Sequence, residues 1–172
     1  IPFSIIGLSY AVAAFPIFSE YSSKIKEFTI YLKSAIRQII FWSLPITFLF
    51  IVLRAQIVRV ILGSGNFSWE NTRLVAASLA IFSISIVAQG IIALLIRAYY
   101  AQSNTWRPLF INFISSTCII VFSFLFLFIF QVYPSVKYFI ELILRVSNIP
   151  GTEVLMLPLA YSLGTIINAL LL

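Results

Sequence analysis

The sequence predicts an all-α integral membrane protein of about five transmembrane helices, with amphipathic helices at the bilayer surface between them. Three observations carry this. Hydrophobic residues make up 62% of the chain and charged residues 9%, where a soluble domain carries about 25% charged. The apolar residues gather in continuous runs that approach the roughly 20 residues needed to cross a hydrocarbon core. Those runs do not alternate with polar positions, as the strands of a membrane barrel would. So few charges cannot clothe a water-facing surface, and the apolar excess must face lipid or neighbouring helices.

The expected spans, within one partial transmembrane domain over 1–172, are about 3–18, 39–62, 74–96, 109–130 and 154–172. The chain opens at Ile1 without an initiating Met and stops inside an apolar run at Leu172, which reads as a piece of a longer protein. Between the first two spans, at about 22–37, Ile25, Phe28, Leu32, Ala35, Ile36 and Ile39 recur at helical spacing among Lys24, Lys26, Lys33 and Arg37. That pattern predicts an amphipathic helix in the headgroup region. In the next connection glycines break the helix, and Ser68 stands as an N-cap with Glu70 in the following first turn. A second amphipathic segment, at about 136–147, has Val136, Phe139, Ile140, Ile143 and Leu144 on one face.

Charge and composition narrow the function. The net charge of +6 is spread over helix ends, which suits lipid headgroups and not nucleic acid. The chain has no His and no Asp, and its single Cys118 cannot form an internal disulfide. Metal clusters and Ser-His-Asp chemistry are therefore not expected, and neither is a cofactor. Consecutive spans place Lys24, Lys26, Lys33, Arg37, Arg97 and Arg107 on one side of the membrane. Arg54, Arg59, Arg73, Lys137 and Arg145 fall on the other side. The slight excess assigns the first side to the cytoplasm.

Four motifs in order resemble the MurJ/MviN lipid II flippase family of the MOP exporter superfamily. The first is the small-residue helix from Pro2 through Gly7 to Pro16, and the second is Phe41-Trp42-Ser43-Leu44-Pro45. The third runs from Ile57 through Gly63, Gly65 and Phe67 to Ser68. The fourth, Arg97-Ala98-Tyr99-Tyr100 to Arg107-Pro108, has Asn104 where an Asp is common in the family. The motif positions are thus Gly7, Pro16, Pro45, Gly65, Phe67, Tyr100 and Pro108. The resemblance covers roughly residues 2–112, with hydropathy and Leu157-Pro158 onward supporting it beyond.

The resemblance implies part of the second lobe of a two-lobed transporter, with the N-terminal lobe as its partner in the same chain. It further implies a multi-pass protein of the inner (cytoplasmic) membrane that is not an enzyme. Its substrate would be lipid II, or a related polyprenyl-diphosphate-linked glycan, moved across that membrane by alternating access among membrane lipids. A flippase for polysaccharide or O-antigen repeat units predicts the same helices. A polyprenyl-phosphate membrane enzyme would instead need acidic clusters at helix ends, and this chain has five scattered Glu.

The substrate-cavity candidates are Arg54 and Arg59, which interrupt the second span, Arg97 at the end of the third, and Gln89 and Asn112 within apolar runs. Snorkelling to the interface is the competing reading for the arginines, and hydrogen bonding between helices for the amides. Gly7, Gly90 and Gly164 suit close helix approach.

Overall fold

A computed structural model describes residues 3–63, 68–147 and 149–172, and every regular element among them is helical. A π-wound turn, Phe3–Leu8, leads into α1 (Ser9–Glu20). Then follow α2 (Ile25–Val52), α3 (Arg54–Leu62), α4 (Trp69–Ala101), α5 (Trp106–Val132) and α6 (Pro134–Leu144). A short 3-10 turn, Thr152–Leu155, opens α7 (Met156–Leu171). Four helices, Ile25–Val52, Trp69–Ala101, Trp106–Val132 and Thr152–Leu171, are long and apolar enough to cross a membrane; Ser4–Glu20 is a shorter apolar helix. This is a multi-pass, all-α membrane protein.

Two boundaries differ from the sequence expectation. The amphipathic stretch at 22–37 does not turn before entering the span, because it is continuous with it as α2. Nothing between Lys33 and Ile39 breaks a helix, and Phe28, Ala35 and Ile39 form one buried stripe across the expected join. Conversely, the stretch expected as one span over 39–62 is interrupted at Leu53, where α2 ends and α3 begins. A straight continuation would carry Arg54, Gln56 and Arg59 on into an apolar helix; past the break, Arg54 reaches the Leu144 carbonyl at the end of α6.

The helix α4 is the spine. Ser68 caps it, its Oγ accepting from the Asn71 amide at 3.2 Å. Along its length Thr72, Ala76, Ala77, Ala80, Ser83, Ala88, Gly90 and Ala98 are buried. Such small side chains let neighbouring backbones approach, which is how helices associate where no water drives them together. A Cβ on Gly90 would lie 2.9 Å from Ile39 Cγ2 and 3.6 Å from Gly7 Cα, so three segments meet at that point. On the α5–α7 side a Cβ on Gly164 would collide with Ile119, and Ser115 Oγ donates to the Gly164 carbonyl at 3.0 Å.

Two apolar cores lie along this spine. Ala11, Ala14, Phe18, Phe28, Ala35, Ile39, Leu94 and Ala98 join α1 and α2 to the C-terminal half of α4. Ala77, Ile81, Phe130, Val146, Ile149, Leu155 and Met156 join its N-terminal half to the end of α5 and the start of α7. The second core also seats the turn after α6, so α6 is fastened at its C-terminal end.

Candidate functional site

The end of α6 is closed by a Schellman cap. Val146 donates its amide to the Glu141 carbonyl at 2.9 Å and Arg145 donates to Leu142 at 3.2 Å. This places Arg145 in the left-handed region, φ 58°, and turns Val146 fully into the core. The buried carboxylate of Glu141 fixes the same turn from inside, accepting from Thr152 Oγ1 at 2.8 Å.

With the cap in place, the last carbonyls of α6 face α3 and α4. Arg54 Nη2 donates to the Leu144 carbonyl at 3.2 Å, and Arg73 Nη2 donates to the Arg145 carbonyl. Cations at a helix C-terminus also meet the favourable end of its dipole. Each guanidinium has five N–H donors, so one bond to a neutral carbonyl leaves most of its capacity open.

Arg54, Arg73 and Arg145 thereby line a single cleft of about 770 Å³, with Gln56, Trp69 and Thr72 beside them. Among the described residues no carboxylate lines it. Among the described residues the one ion pair is Lys24–Glu27, at 3.9 Å on the opposite end of α2. The cleft therefore concentrates positive charge without internal neutralisation, as an anion-binding site requires. Ile81, Ile84, Ile143 and Leu144 are shared walls between this cleft and a second cavity of about 380 Å³. That second cavity is an apolar groove continuing between α4, α6 and α7 past Phe139, Ile140, Leu159 and Ile166. A cationic recess that shares walls with an apolar groove matches the two chemical halves of an anionic lipid.

Of the five sequence candidates, only Arg54 lies in this cleft. Arg59 is exposed on α3, its guanidinium 5.9 Å from the Trp69 ring centroid. Arg97 sits toward the far end of α4 and donates to the Ala93 carbonyl at 3.4 Å. Gln89 Nε2 donates to Ser85 Oγ at 2.7 Å within α4, while Asn112 accepts from Asn168 at 2.8 Å between α5 and α7. Among the motif positions, Gly7 is buried at the Gly90 crossing and Pro108 is buried at the start of α5. Pro16 and Pro45 lie inside α1 and α2, and Tyr100 is exposed near the end of α4. Gly65 and Phe67 lie outside the described residues.

Sequence reasoning missed Arg73 and Arg145 as site residues. The available signal was the charge grouping, which already put both on the same side as Arg54. Away from the cleft, the Tyr21 hydroxyl titrates above its ordinary range, first through its hydrogen bond to Tyr31 and then through the charges of Tyr31 and Glu20.

The comparisons with known proteins bear on the family of this chain. The sequence profile of the family described as lipid II flippase MurJ matches residues 1–134. The chain belongs to this family. A MurJ relative from Rhizobium tropici, described as a probable lipid II flippase, is 29% identical over 111 residues, 63% of this chain. The chain spans about a fifth of that relative's length, 21%. No solved structure matches. The MurJ profile ends at the first residue of α6, so the cap, Glu141 and Arg145 lie beyond the matched region.

Proposed function

We propose that the chain is part of the second lobe of a transporter that carries lipid II, the undecaprenyl-linked peptidoglycan precursor, across the cytoplasmic membrane by alternating access. The observation that carries this is the cleft of Arg54, Arg73 and Arg145 beside an apolar groove with which it shares walls, in a chain of the MurJ family. A flippase makes and breaks no covalent bond. It must replace the water around a diphosphate with fixed donors while the hydrocarbon chain stays in an apolar environment. Arginine suits the first task, because its planar fork meets phosphate oxygens in pairs and stays charged at any working pH.

In the topology that the charge count favours, the cleft lies at the outer end of the lobe. It would then receive the headgroup as the two lobes rock about a midplane site. The test is complementation with the full-length parent gene in a bacterium depleted of its own lipid II flippase. Restored growth with lipid II appearing on the outer face supports the reading. Lysis, with the protein present in the membrane, sinks it in favour of a flippase for other polysaccharide repeats.

A further inference from the structure

We propose that Arg145 is a phosphate-binding residue of this cleft, held in a backbone conformation suited to glycine, so that fold stability and ligand affinity oppose each other at this position. The proposal rests on the reading of the cleft as an anion seat and deepens it by naming a residue beyond the family match and the ligand group it takes, a phosphate of a lipid-linked diphosphate.

At φ 58° the Cβ of an L-residue crowds its own backbone, a strain that glycine lacks. A Schellman cap needs some residue in this conformation, and glycine is the usual one. Six residues on, the same chain places Gly151 at φ 81°. A favourable interaction with the dipole of α6 does not explain the arginine, because a cation anywhere in the last turn would supply it without the strain. What position 145 adds is location. Arg145 is part of the cleft lining with Arg54 and Arg73, and its own carbonyl accepts from Arg73. One residue thus stands at the site with a guanidinium to offer and holds a second one in place through its carbonyl. The left-handed residue after α4, Ser103, lies at the same kind of cap, with hydrogen bonds from Ser103 to Tyr100 and Asn104 to Tyr99. There the side chain is small and uncharged, and among the described residues no arginine lines the pocket beside it.

The experiment uses the full-length parent protein in detergent, with inorganic pyrophosphate as the probe, and reads affinity by calorimetry and Tm by thermal unfolding. Arg145→Gly and Arg145→Ala are each expected to weaken pyrophosphate about tenfold, the loss of one charge-assisted contact. Arg145→Gly should melt above Arg145→Ala, since only glycine relieves the backbone. Should the glycine variant fail to fold, Arg145→Gln reads the same loss of affinity. Lys137→Ala removes an equal charge from α6 outside the cleft and should keep full affinity; an equal loss there overturns the proposal in favour of net charge. Unchanged affinity in Arg145→Gly, with Arg54→Ala weakened, overturns the role of Arg145 and leaves the cleft standing. No effect from any of the three cleft arginines sinks the cleft reading itself. Displacement of pyrophosphate by undecaprenyl diphosphate well before phosphatidylglycerol supports the lipid-linked diphosphate, and equal displacement overturns that assignment.

Discussion

Asn168 Nδ2 donates to Asn112 Oδ1 at 2.8 Å, tying α7 to α5 through two amides along the seam that the Ser115–Gly164 hydrogen bond also crosses. Among the described residues the Asn168 Oδ1 is buried without a partner, so the Nδ2 bond is what the Asn168 amide gains at this contact. Interhelical hydrogen bonds of this kind contribute about 0.6 kcal/mol on average, with a maximum of about 1.7. A cycle of Asn112→Leu, Asn168→Leu and the pair should therefore show a coupling in that range, read from unfolding in mixed micelles. Pyrophosphate affinity should be unchanged in Asn112→Leu, because the pair lies on α5 and α7 and does not line the arginine cleft. A loss of affinity in that variant would return Asn112 to the cavity.

At the Gly90 crossing the limit is space. A Cβ there stands 2.9 Å from Ile39 Cγ2, and Ile39 is almost fully buried, with little room to yield. Gly90→Ala should destabilise the chain by about 1–3 kcal/mol, the usual result of overpacking. Ile39→Ala in the same chain removes the obstructing methyl and should recover part of that loss. If the double variant is no more stable than the sum of the single losses predicts, the contact is not the cause.

These two contacts also show how far the sequence could be read. Apolar runs announce helices because burial in lipid demands satisfied backbone groups, and the small residues of α4 announce a crowded spine. The continuity of α2 was concealed by composition: Lys33 and Arg37 look interfacial, yet the helix they lie on carries a single buried stripe from Phe28 to Ile39. The break at Leu53 was marked only by the charges that follow it, Arg54 and Arg59, since leucine itself is a good helix former. Arg54 and Leu144 are 90 positions apart, and Arg73 and Arg145 are 72 apart. No local pattern encodes such a meeting. Charge grouping gives the side of the membrane, and only the packing of the α6 cap gives the cleft.

The arginines on that side should divide cleanly by function. Arg54→Ala and Arg73→Ala each remove a guanidinium from the cleft and also leave a carbonyl at the end of α6 without its donor. Each should lower pyrophosphate affinity about tenfold, in line with charge-assisted bonds. Arg59→Ala should retain it, because Arg59 is exposed and faces the Trp69 ring. Equal losses across all three variants would mean that diffuse positive charge, and not this cleft, binds the anion.

Glu141 and Thr152 act one layer behind the arginines. The Glu141 carboxylate is buried, and Thr152 Oγ1 is its hydrogen-bond donor at 2.8 Å. Thr152→Val keeps the shape of the side chain and removes the donor, so the carboxylate stays buried without that bond. Leaving a buried acceptor without its donor costs roughly 1–3 kcal/mol, and a loss of that order in unfolding stability is expected. The consequence should reach further than stability. Glu141 closes the cap that aims the Leu144 and Arg145 carbonyls at Arg54 and Arg73, so a loosened cap leaves those side chains freer before ligand arrives. Ordering them then falls to the ligand, and affinity drops although neither Glu141 nor Thr152 lines the cleft. Thr152→Ser restores the hydroxyl and should restore pyrophosphate binding with it. If Thr152→Val loses stability yet binds pyrophosphate as before, the cap supports the fold alone and the arginines are positioned without it.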